Sequence, residues 1–156
     1  MRYSTMKRGL SFCLLLAALL TVTACDWNPV VISLHVEDAE GHNRLDPTSD
    51  YFIGENISAI YEGQVYPVEI IGGPDTKTYM PRFFGLELRP DRMFGWYLTF
   101  GEFEGSESQD ISVTLVWPDG TSDTIRCKHT VATPLAVTTH YKLNGKRTTP
   151  PITLVK

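Results

Sequence analysis

Cys25 is the residue whose surroundings most clearly specify a reaction. It directly follows Val22-Thr23-Ala24, and these close a segment that begins with basic Arg2, Lys7 and Arg8 and continues as an apolar run from Leu10 to Val22. That order predicts a bacterial lipoprotein signal over residues 1–24. The basic start stays on the cytoplasmic side, the short apolar run enters the membrane, and small Thr23 and Ala24 fit a narrow peptidase cleft. The Cys25 thiol then takes a diacylglycerol and the freed α-amine can take a third acyl chain. Two or three chains anchor stably where one is marginal. A transmembrane helix is the poorer reading, because the run of about 13 residues is short of the ~20 a span needs and ends in small residues rather than a positive stop-transfer cluster. Asp26 resembles either an inner-membrane retention signal or the start of an acidic export signal. The expected location is the cell envelope, the outer membrane ahead of the inner.

The remaining chemistry-bearing residues do not assemble into a known centre. His35, His42, His129 and His140 show no His-x-His, His-Glu-x-x-His or paired Cys/His spacing that would hold zinc. Asp119-Gly120-Thr121-Ser122-Asp123 has two acids four apart and lacks the alternating ligands and distal Glu of a calcium loop. The acids of Glu37-Asp38-Ala39-Glu40, with Asp46 and Asp50, read as solvated turn residues. Glu102 and Glu104, two apart on a strand, share a face, which alone does not make a glycosidase pair. No Gly-x-Ser-x-Gly occurs, and Cys127 sits in an alternating run where a buried, apolar role is expected. The expectation is therefore no catalytic residue, no metal, no cofactor and no enzyme. Aromatic side chains are the one feature suited to binding, and Trp27, Tyr51, Tyr79 and Tyr97 are the candidates for an exposed patch that stacks on sugars or contacts protein.

Composition narrows the partners. Beyond residue 25 there remain 131 residues, the size of one domain, with 11 basic against 18 acidic side chains and a net charge of −7. Nucleic acid is excluded as a partner at that charge. The expected partners are the membrane, through the anchor at Cys25, and an envelope protein or glycan. Cys13 leaves with the signal and Cys25 is acylated, so Cys127 stands alone and packing rather than disulfides must stabilise the fold.

The elements that would position these groups are strands. A short tether, 25–29, leads into a domain over 30–156. Val30 to Glu37 alternates, with Ile32, Leu34 and Val36 on one face. Ile57 to Tyr61 and Gln64 to Ile71 flank Glu62-Gly63, a two-residue hairpin. Phe83 to Arg89 carries Phe84, Leu86 and Leu88 on one face, Pro90-Asp91 forms the link, and Phe94 to Phe100 carries Trp96, Leu98 and Phe100. Ile111, Val113, Leu115 and Trp117 predict an inward face that Pro118 to Thr121 turns into Asp123 to His129. Ala136 to Leu143, Asn144-Gly145 and Ile152 to Val155 complete the series. No segment beyond the signal has helical apolar spacing over ten residues. Eight or nine short strands predict an all-β domain, a single β-sandwich of immunoglobulin-like kind, with a small barrel as the alternative.

The segments VEDAEGHNRLDP (36–47), FGEF (100–103) and WPDGTSDTI (117–125) resemble those of small envelope lipoproteins that anaerobic gut-type bacteria encode in large numbers. The resemblance implies a sandwich-like envelope domain and implies no activity. Asp123-Thr124-Ile125 also resembles an O-glycosylation acceptor of such bacteria. Sequence alone thus points to a lipid-anchored, non-enzymatic structural or interaction module, with a surface glycan-binding accessory lipoprotein as the rival reading and a hydrolase third.

Overall fold

A computed structural model describes residues 29–71, 83–93, 95–133 and 136–156. Cys25, Trp27 and Tyr79 lie outside the described residues, as do the signal, the tether through residue 28, the Gly72-to-Asp75 break and Phe94. The chain is all-β. Ten strands follow one another as β1 (Val30–Glu37), β2 (Ser58–Tyr61), β3 (Gln64–Ile70), β4 (Leu86–Asp91), β5 (Gly95–Phe103), β6 (Gln109–Val116), β7 (Ser122–Thr133), β8 (Ala136–Leu143), β9 (Lys146–Thr148) and β10 (Ile152–Val155), with one 3-10 turn at Gly54–Asn56. Among the described residues no helix is long and apolar enough to cross a membrane.

The strands join in the order β10-β1-β5-β4-β3-β2-β6-β7-β8-β9, a single sheet nearly closed into a barrel. The two separate sheets of a sandwich are here linked through β3, which pairs antiparallel with β2 and parallel with β4. Strand alternation sends one set of side chains inward from every part of this sheet. Ile32, Leu34, Leu98 and Phe100 meet Val113, Leu115, Ile125 and Cys127 in one buried cluster. Ile111, Val113, Leu115 and Trp117 are all inward, as their spacing requires, and Cys127 is a buried free thiol.

The two tight turns follow their residues closely. Glu62 and Gly63 have φ of 49° and 77°, Asn144 and Gly145 of 49° and 81°, the double positive φ that lets a two-residue turn match strand twist. Three local expectations need correction. Pro90 and Asp91 belong to β4, and the turn falls at Arg92 and Met93. Proline is tolerated there because, among the described residues, β3 pairs with β4 only as far as Leu88. Phe83, rather than Phe84, joins the aromatic cluster of Tyr61, Tyr66, Phe100 and Phe103, while Phe84 lies beneath the Arg89 guanidinium. Both precede the first residue of β4, where alternation does not yet hold. The strand beyond the eight or nine expected is β9, Lys146-Arg147-Thr148, too short and polar to register as a strand by pattern.

Candidate functional site

Alternation in β1 that buries Ile32 and Leu34 necessarily turns Ser33 and His35 outward. Next door in β5, Leu98 and Phe100 are buried and Tyr97 faces out, its ring 6.1 Å from that of His35 at an interplanar angle of 27°. Asp91 ends β4 opposite Gly95 of β5. On the other flank β10 runs parallel to β1, with Leu34 opposite Ile152, so the preceding Pro150 and Pro151 stand beside Ser33. Ser33, His35, Asp91, Tyr97, Pro150 and Pro151 line a groove of about 340 Å³ on the outer face of the sheet. That volume lies at the small end of ligand sites.

The groove is electrically mixed. Burial pushes the His35 imidazole below its ordinary value, against the opposing pull of the Asp91 and Glu37 carboxylates. Burial likewise raises the Tyr97 phenol, with Arg89 opposing and Asp91 and Glu87 adding. At neutral pH both rings are thus uncharged, and the groove offers a phenol, a neutral imidazole, a hydroxyl and a carboxylate beside two pyrrolidine faces. This is an arrangement for holding a small ligand by stacking and hydrogen bonds.

Tyr51, another of the expected aromatics, sits elsewhere. It is 49% exposed and stacks on His42 with centroids 4.6 Å apart and planes at 6°. The two rings belong to the loop after β1, which Arg44 ties down by donating from Nε to the Tyr51 carbonyl (2.6 Å) and from Nη1 to the Lys156 carbonyl (3.0 Å). Tyr51 and Tyr97 are not in ring contact among the described residues. Asp38, Glu40 and His42 each bring one possible metal-ligand atom within 4.8 Å of the others. Asp38 already has local partners: Oδ1 accepts the backbone N–H groups of Glu40 (3.0 Å) and His42 (2.8 Å), and Oδ2 lies 2.8 Å from His42 Nδ1. Asp38 thus holds this turn.

The second acidic segment splits in two. Asp119 is a turn residue, its Oδ1 accepting from the Thr121 backbone N–H (2.8 Å) and hydroxyl (2.6 Å). Asp123, which opens the strand expected over Asp123 to His129, is buried in β7. Trp117 Nε1 (2.7 Å) and Lys156 Nζ (2.7 Å) both reach its Oδ2, and Asn144 Nδ2 (2.6 Å) donates to its Oδ1. Thr124 beside it is exposed.

Of the groove residues, Tyr97 alone was singled out as a binding candidate from sequence. His35 and Ser33 are legible in the sequence only as the polar face of a strand, and Asp91 only as a turn. Their meeting depends on parallel pairing between strands at opposite extremes of the domain, which no local pattern encodes. Compared with protein-family models, curated proteins and solved structures, the chain matches none.

Proposed function

We propose that this chain is a lipid-anchored, non-enzymatic binding module of the bacterial cell envelope, held at Cys25 and taking its ligand in the outer-face groove at Tyr97. The groove is the observation that supports binding: Tyr97 and His35 lie ring to ring and uncharged, facing two prolines, beside the Ser33 hydroxyl and the Asp91 carboxylate, whose Oδ1 accepts from the Met93 N–H (2.7 Å). A saccharide suits it, since the C–H face of a sugar stacks on flat or apolar side chains while its hydroxyls donate to oxygen acceptors. The sandwich belongs to the same reading. Through β3 the sheet bends into two halves whose inward faces share one core, as two packed sheets do.

The test is a titration of the full chain against neutral and acidic envelope oligosaccharides. Tyr97→Ala is expected to weaken binding about tenfold, equivalent to ~1.4 kcal/mol, and Tyr51→Ala to leave it unchanged. Full binding by Tyr97→Ala removes the groove from the reading. Absence of binding to every saccharide removes the ligand class.

A further inference from the structure

The β7–β8 hairpin outgrows the barrel. Its last inward residue on β7 is His129, whose Nδ1 lies 2.8 Å from the Thr139 hydroxyl and whose Nε2 lies 2.9 Å from the Gly105 carbonyl. Beyond it, Ala132, Thr133, Ala136, Val137 and Thr138 are exposed, Val137 to 46%. A register shift between Val131 and Thr133 marks a bulge, the device that bends a strand away from its sheet. From Thr130 to Thr139 the sequence contains no charged residue. Among the described residues, so uncharged and exposed a strand pair requires an explanation.

The position of the arm supplies one. Its base is clamped to residues 105–108: His129 Nε2 lies 2.9 Å from the Gly105 carbonyl, and the Val131 backbone N–H donates to Ser108 Oγ (2.8 Å). That loop leaves β5 directly after Phe103, and Phe103 is the strand partner of Val30. The arm and the start of β1 therefore occupy the same end of the barrel. Exposed Phe83, packed on Phe103, belongs to that end too. From Cys25 to Val30 the chain spans at most about 17 Å, and Thr130 to Thr133 carries the arm roughly 13 Å past His129. The two reach comparable distances from one end.

We propose that the β7–β8 arm rests in the interfacial layer of the membrane that holds the acyl chains of Cys25, with Val131 to Thr133 and Ala136 to Thr138 among the headgroups. This rests on the lipid anchor proposed above. The attraction is apolar, because the arm carries no cation and acidic Glu104 and Glu107 flank its base. The domain is thereby fixed in orientation, with the loop after β1 and the Arg92-Met93 turn directed away from the bilayer.

The experiment uses the full-length lipidated protein in phosphatidylcholine vesicles, with a nitroxide on Val137→Cys or Ala136→Cys, or on Met93→Cys at the opposite end. Cys127 is buried, and burial raises its thiol pKa, so it stays unlabelled. The expected result is that the labels at 136 and 137 collide with oxygen in clear preference to a water-soluble nickel chelate, that the label at 93 does the reverse, and that adding anionic lipid leaves the contrast unchanged. Vesicle-bound protein with an aqueous label at 137 overturns the arm and spares the anchor. Failure of the protein to float with the vesicles overturns both. Dipolar broadening at 136 and 137 that grows with protein density shows a second copy on the arm and overturns the membrane contact.

Discussion

Asp123 takes donors from three directions, and its neighbourhood explains how one buried carboxylate ties distant parts of the chain together. Trp117 belongs to the turn before β7, Asn144 to the turn after β8, and Lys156 follows β10 while its ammonium lies 5.0 Å from the Trp117 ring centroid. Burial works against the ionised form, yet donation by Lys156, Asn144 and Trp117 prevails and holds the carboxyl below its ordinary 3.8. A carboxyl with a depressed folded-state pKa contributes stability that is present above the unfolded value and lost as pH falls toward the folded one. Asp123→Asn presents an amide to groups that can only donate. It is expected to cost about 1.5–3 kcal/mol at pH 7, and its deficit against the parent protein should shrink below about pH 4. Thermal unfolding of both proteins from pH 7 to pH 2.5 measures this, and a deficit constant across that range refutes the assignment. Sequence exposed the inward Trp117 but not its partner, since a carboxylate at the first residue of a strand gives no sign by pattern that it is buried.

Among the elements, β5 shows how a glycine shapes a strand. Ile32 pairs with Phe100 and Val30 with Phe103, so Gly101 and Glu102 stand against Val31 alone. Gly101 forms this bulge with φ of +65°, and its N–H donates to the Phe84 carbonyl at 3.1 Å. A Cβ there meets the Phe103 ring at 2.5 Å. Gly101→Ala is therefore expected to destabilise by about 1–3 kcal/mol through backbone strain, with further loss where Phe103 has to move. Denaturant unfolding gives the value, and a variant within experimental error of the parent shows that the strand has no bulge at this point. Most strands were legible because buried faces demand alternation and because Glu62-Gly63 and Asn144-Gly145 suit their turns. Where pairing rather than pattern decides, the residues say less: Asn144-Gly145 marks the turn into β9 but its polar residues do not mark the strand, and nothing marks the extension of β4 through Pro90.

At the scale of the molecule, the anchor proposed at Cys25 is open to a direct test. Cys25→Ser is expected to release the protein from the membrane fraction or to leave it as uncleaved precursor, and unchanged acylation and processing in that variant refute the reading. All-β character was evident beforehand from strand spacing, with a small barrel as the alternative to a sandwich, but the continuity of the one nearly closed sheet was not, for it depends on two parallel pairings, β3 with β4 and β10 with β1, the latter with Leu34 beside Ile152 and the Lys156 N–H donating to the Glu37 carbonyl. That pairing also sets a timetable. A contact between opposite extremes of a domain is slow to form because so much chain must be gathered first. β1 is the first of these strands to be synthesised and, on the proposed export route, the first to cross the membrane. Its pairing with β5 can form earlier, but the edge that receives β10 stays open until the last strand has followed.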